Sequence, residues 1–361
     1  MRNTIKLFML LMIIATIISC KKENTGVYSA EIENLTDNII ITTYADLANN
    51  AILLFDATTA LKTDGATEAE LLAAKEAWKE ARAPWEASEG FLFGPVSDNE
   101  IDPNIDTWPL DSNNVDIILS GSDVINEAYI EALSGESGTG LKGFHLIEYL
   151  LWGSNGTKTA ADLTARELDY LVAAAENLKN KTNELYTAWI SSGGNFGAQL
   201  KNLGSRYPSE KDVLIELAEG IRGIAGEVYS SKIQSTLDGL DLDGINGGLR
   251  EEESRFSENT KTDFASNILS IQNIYTGKYG TLGNGKGLSD VVASKNPTLD
   301  ATIKTQIVEA ITAITTIGGS ASTTYSEALA NDRASIESAQ EKVRTLNNTL
   351  RDNLIPLINN L

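Results

Sequence analysis

The sequence predicts an all-α protein whose helices fall into two related bundle-like halves of similar size. Three observations carry that expectation. Apolar residues recur with the 3.6-residue period of helices along most of the chain, helix-start signals stand ahead of those runs, and alternating strand patterns are nearly absent. Thr67-Glu68-Ala69-Glu70, Thr164-Ala165-Arg166-Glu167 and Ser209-Glu210-Lys211-Asp212 each place an acid three residues after a hydroxyl, so that both side chains can satisfy N–H groups left unpaired where a helix begins. Long helices are expected at 36–62, 67–92, 164–190, 209–236, 250–276, 298–317 and 332–354, and shorter ones at 112–120, 122–133 and 141–152. Pro84 should kink the second of these, because it removes a backbone donor and crowds the preceding turn. Gly-rich breaks fall at 135–140, 153–156, 193–197, 238–248 and 277–287. The stretch from Ser191 to Pro208 is the natural boundary between an N-terminal bundle (35–200) and a C-terminal one (205–361).

The N-terminus reads differently. Met1, Arg2, Asn3 and Lys6 form a basic start, and an apolar run from Leu7 to Ile18 follows. That run is about half of what a bilayer-spanning helix needs, so residues 1–19 read as a lipoprotein signal peptide. Ile17-Ile18-Ser19-Cys20 resembles a lipobox, which makes Cys20 the lipidation site and residues 20–34 a polar tether. Cys20 is the only cysteine, so a disulfide framework, a zinc–thiolate site and a cysteine nucleophile are all ruled out. The expected location is the cell envelope, lipid-anchored in the outer membrane on its periplasmic or surface face.

Without Arg2 and Lys6, 27 of the 29 basic side chains remain against 50 acidic ones. A field of that sign repels nucleic acid and anionic headgroups, so membrane attachment is expected through lipid alone. It suits solubility and the attraction of cations. Several motifs fail on their details. Gly280 to Lys286 has P-loop spacing, but Gly287 replaces the magnesium-binding hydroxyl. Asp241-Leu242-Asp243-Gly244 resembles a calcium loop, yet the register puts Gly239 first and Arg250 twelfth. With a single histidine the H-E-x-x-H zinc-protease site cannot be built.

That histidine, His145, lies in Gly143-Phe144-His145-Leu146-Ile147-Glu148-Tyr149-Leu150-Leu151-Trp152-Gly153. On a helix His145 and Glu148 share a face, and the apolar surroundings predict burial. A buried glutamate needs a partner or a proton, so the two form either a structural staple or a ligand pair. Gly143 would let another segment approach closely. Upstream, Glu86 and Glu89 again stand three apart among Trp85, Phe91 and Phe93, followed by Asp106, Trp108 and Asp111. Taken singly, Asp111 also reads as an N-cap and Asp106 as a turn residue.

Together these segments resemble the imelysin (peptidase M75) family. The matching stretches are G-x-H-x-x-E at Gly143, His145 and Glu148, S-E-x-F-x-F-G-P from Ser88 to Pro95, and W-P-L-D from Trp108 to Asp111. Glu253-Ser254-Arg255-Phe256-Ser257-Glu258-Asn259-Thr260 and Gly287-Leu288-Ser289-Asp290 match in the second half. The resemblance implies two helical halves around a central cleft, export or membrane anchoring, and a link to iron acquisition. It implies a metal site drawn from His145, Glu148, Glu89, Asp106, Glu86 and Asp111, with Arg255 and Trp108 as secondary cleft residues. One imidazole with several carboxylates is a hard, oxygen-rich set that suits iron first, with manganese, calcium or zinc as alternatives. The leading expectation is a metal-binding lipoprotein serving iron or metal uptake, partnered by the metal ion and by envelope transport components. A metallopeptidase with Glu148 or Glu89 as general base is the alternative, although catalytic zinc sites generally use two or three His or Cys ligands. A haem or peptide binder is the third.

Overall fold

A computed structural model describes residues 26–361; the expected signal peptide, Cys20 and the first part of the expected tether lie outside the described residues. Those described are predominantly helical, and their only β-type pairing is one isolated bridge between Tyr279 and Leu282. The protein is all-α. Helices Ile41–Thr63, Glu68–Glu86, Gly143–Trp152 and Ala165–Trp189 pack together in the first half. Glu210–Glu227, Thr260–Thr276, Pro297–Thr315 and Arg333–Thr349 do so in the second. The two groups are not separate cores. Thr260–Thr276 packs on Glu68–Glu86, and one continuous cluster of buried apolar side chains runs through both. Among the described residues no helix is long and apolar enough to cross a membrane.

The capping boxes at Thr67, Thr164 and Ser209 are all formed, and helices begin at the next residue in each case. Other boundaries differ from expectation for local reasons. The first helix begins at Ser29, inside the stretch expected to be a tether, because Ile32 and Asn34 are buried. Asn34 Nδ2 donates to the carbonyls of Gly277 (2.8 Å) and Lys286 (2.7 Å), and its Oδ1 accepts from Asn284 N–H (3.0 Å). The loop with P-loop-like spacing is therefore pinned to the first helix. The helix carrying Pro84 stops at Glu86 and gives way to a 3₁₀ turn, Glu89–Phe91. There Gly220 is in close contact: a Cβ on it would stand 2.4 Å from the Gly90 carbonyl.

The second half departs most. The helix beginning at Glu210 passes through a π turn, Val228–Lys232, and continues as Ile233–Glu251 with a break at Asp243 and Gly244. The helix expected to start at 250 starts at Thr260 instead. Residues 252–259 form a tight turn in which Ser254 (φ 53°) and Glu258 (φ 58°) hold left-handed backbone conformations.

Candidate metal centre

Seven segments converge at the junction of the two helical groups. The helix Glu68–Glu86 carries Arg82 and Glu86 on one face, and the 3₁₀ turn adds Glu89. The short helix Asp102–Ile105 ends at Asp106 and leans on the start of Gly143–Trp152. Gly143 permits this approach: its φ is +76°, and a Cβ there would fall 2.2 Å from the Ile105 carbonyl oxygen. The close approach expected at Gly143 is thus made by backbone, and it brings Asp106 beside His145. From the second half, the π turn delivers Lys232, the 252–259 turn delivers Glu253, and Thr260–Thr276 delivers Asp263 and Asn267.

At the centre is Arg82, whose side chain is fully buried. Its guanidinium reaches Glu86 (2.5 Å), Glu253 (2.6 Å), Asp263 (3.2 Å) and Asp106. Its fork matches carboxylate geometry and keeps its charge when buried, which a lysine does less reliably. Trp85 Nε1 donates to Asp106 (2.6 Å), Asn267 to Glu86 (2.6 Å) and Asn259 to Asp263 (2.6 Å). Lys232 Nζ bridges Glu253 (3.1 Å) and Glu89 (3.3 Å), with Glu86 at 3.8 Å.

His145 stands between two environments. Nδ1 faces Glu148 Oε2 at 3.3 Å, and Glu148 Oε1 accepts from Ser257 N–H (2.8 Å) and Oγ–H (2.7 Å). Nε2 faces Asp106 Oδ1 (3.0 Å) and Glu253 Oε1 (3.7 Å), but makes no aligned hydrogen bond to either. The Trp108 ring packs on the imidazole at 4.7 Å.

The balance between burial and neighbouring charge sets which groups are ionised. Burial alone would raise Asp106, yet the Arg82 and His145 charges hold it well below the usual carboxylate range. Glu253 is likewise pushed down to about 2, because Lys232, His145 and Arg82 outweigh its burial. For Glu86 burial prevails over Arg82 and Lys232, and it is pushed up to about 8; burial also holds Glu89 well above its ordinary range against Lys232. Burial and the Arg82 charge oppose protonation of His145, but Asp106 and Glu148 raise it well above its ordinary value.

Beside this cluster opens a cavity of about 270 Å³, lined by Glu89, Asp102, Asp106, Trp108, Lys232 and Glu253, with Glu227 and Glu251 also on its wall. Donor atoms of Asp106, His145 and Glu253 lie within 4.8 Å of one another, as do those of Glu86, Glu89 and Asp106. For ligands at about 2.1 Å, adjacent donors of an octahedral ion stand roughly 3 Å apart, close to the His145–Asp106 separation. Arg82 already engages Asp106 and Glu253, but a carboxylate oxygen offers more than one lone pair. The buried Nε2 without an aligned partner, the spacing and the hard donor set fit a cation.

The chain matches the family model for imelysin over residues 40–351. It belongs to the imelysin family. Iron-regulated protein A of Synechococcus elongatus is 25% identical over 351 residues, covering 96% of this chain and 91% of that protein. A crystal structure titled as an iron-regulated protein A precursor from Parabacteroides distasonis is 26% identical with a TM-score of 0.80, covering 92% and 95% of the two chains. An imelysin-like protein from Psychrobacter arcticum, 15% identical with a TM-score of 0.68 over 91% and 96%, shares the fold.

In this imelysin-family chain the residues picked out by sequence separate. His145, Asp106, Glu86 and Glu89 come together, and Trp108 covers the imidazole. Glu148 stands behind His145, with both oxygens engaged on the side away from Asp106. Asp111 is apart from the cluster: it accepts from Asn114 N–H (3.1 Å) as the N-cap of Ser112–Ser120. Arg255 lies over the Phe256 ring (4.3 Å) near the Ser154 carbonyl, outside the cluster. Sequence reasoning passed over Arg82, Lys232, Glu253 and Asp263. Arg82 had a signal, a cation four residues before Glu86 on an apolar helix. Glu253 lay within a quoted stretch, two residues from Arg255.

Proposed function

We propose that this imelysin-family protein binds a single divalent cation, iron first, through His145 Nε2, Asp106 and Glu253, and serves iron or metal uptake. Manganese, zinc and calcium are the alternatives. One observation carries the reading: the only imidazole of the chain is buried, with Nε2 lacking an aligned hydrogen bond and two ionised carboxylates within 3.7 Å, beside an acidic cavity. The name of the cyanobacterial relative supports iron as the first choice. Glu148 would fix the orientation of His145 from behind, as carboxylates do for metal-bound imidazoles, and the cation would replace the proton that Asp106 and Glu148 favour on the metal-free imidazole. Lipid anchoring through Cys20, an outer-membrane location and envelope transport partners complete the proposal. Peptide hydrolysis is less well supported by the contacts. A general base needs a free ionised carboxylate, whereas Glu89 is pushed up by burial and bound to Lys232, and Glu148 is engaged at both oxygens.

Isothermal titration with Fe(II), Mn(II), Zn(II) and Ca(II) tests this. His145→Ala, Asp106→Asn and Glu253→Gln should each weaken binding at least about tenfold. No binding by the parent at micromolar metal, or unchanged binding in all three variants, would sink the reading.

A further inference from the structure

Two cations are built into the carboxylate cluster, and they are held differently. Arg82 is fully buried and fixed by four carboxylates. The Lys232 ammonium touches Glu253, Glu89 and Glu86 at 3.1–3.8 Å, and the same side chain lines the cavity. Its position depends on the π turn Val228–Lys232, a local departure from α geometry that recurs at functional sites. An ammonium on a flexible stem is a movable point charge, unlike a guanidinium locked in a fork. The cavity also offers it another position, since Glu227, Ser231 and Ser235 come from the same helical stretch and line the wall.

We propose that Lys232 is a tethered stand-in for the bound cation: its ammonium occupies the carboxylates when no metal is present and withdraws toward Glu227, Ser231 and Ser235 when metal binds. This rests on the cation-binding reading above and adds its regulation. A dication on His145 Nε2, Asp106 and Glu253 would face the ammonium across Glu253, and like charges at that range repel strongly in a partly desolvated site. The built-in competitor keeps the empty cluster charge-compensated and the metal readily released.

The sign of the expected effect differs from that of every ligand substitution. In Mn(II) titrations of the full chain, Lys232→Gln and Lys232→Met should each bind at least about tenfold more tightly than the parent, while Lys232→Arg should not gain. Thermal melts should show metal-free Lys232→Gln below the parent, with Mn(II) raising its midpoint by more. Glu227→Gln alters an exposed position and should leave folding intact. It should weaken Mn(II) binding about threefold in the parent but not in the Lys232→Gln background, because only the parent has an ammonium to receive. Equal or weaker binding by Lys232→Gln and Lys232→Met, with parent binding intact, overturns the role of Lys232 and leaves the cation site standing. No binding in the parent and none gained in either variant removes the cation site, and this proposal with it.

Discussion

Glu252 and Glu253 are neighbours in the chain and both buried, yet they enter opposite environments. Glu252 meets hydroxyls: Thr260 Oγ1–H donates at 2.9 Å and Ser326 Oγ–H at 2.7 Å, and burial pushes its carboxyl up to about 7. Glu253 meets Lys232, His145 and Arg82, which outweigh its burial and bring it down to about 2. Depth is the same for the two, so the charge of the partner decides which carboxylate is ionised at neutral pH. Beside the cavity, Asp106 and Glu253 are kept charged; one residue from Glu253, the chain keeps a carboxyl largely protonated below pH 7 as a structural hydrogen-bonding group.

Removing the cation at the centre should break that contrast most severely. Arg82→Met leaves Glu86, Asp106, Glu253 and Asp263 without their shared counter-charge. A loss of about 3–5 kcal/mol in urea unfolding is expected, the usual cost of breaking a buried pair. A loss below about 1 kcal/mol would mean that the cluster accommodates its own charge.

The pH dependence sharpens the comparison. Glu252 has a folded-state pKa above its ordinary 4.5, so its favourable contribution is fully present below pH 4.5 and fades as pH rises through 7. The total change is of order 3 kcal/mol. Glu252→Gln removes the penalty, and its melting temperature should gain on the parent between pH 4.5 and 8. Parallel pH profiles for the two proteins would contradict the assignment. Glu253 has the opposite sign: its stabilisation is present above pH 4.5 and lost as pH falls toward 2. The destabilisation of Glu253→Gln, measured against the parent, should therefore shrink in acid.

The smallest effect is expected at Asp111, which caps a helix outside the cluster. Asp111→Ala should cost about 1 kcal/mol in thermal stability and leave metal titration unchanged. A tenfold loss of metal affinity in that variant would return Asp111 to the site.

Local signals were legible wherever the chemistry is local. Hydroxyl–acid capping pairs announced the helices at Glu68, Ala165 and Glu210, and each forms. His145 and Glu148 were recognisable as a buried pair because helical spacing puts them on one face. The 252–259 turn was not legible, since left-handed backbone at Ser254 and Glu258 has no glycine to announce it. Reading a helix from 250 put Glu253 on a helical surface when the turn in fact aims it at Arg82. Lys232 had no signal either, because its direction depends on a π turn inside an otherwise regular helix.

The sequence alone determined that the chain would be helical, that three of its long helices would begin at particular capping residues, and that one imidazole would be buried beside one carboxylate. These follow from hydrogen bonds and apolar periodicity within a few residues of each position. Which acids share a cation, and whether each is ionised, was decided only by tertiary structure. Asp106 and Glu253 stand 147 positions apart yet meet at one guanidinium, and Glu148, three residues from His145, ends behind it. Coulomb energies and desolvation depend on distances through space, and sequence spacing fixes those distances only within a single helix or turn.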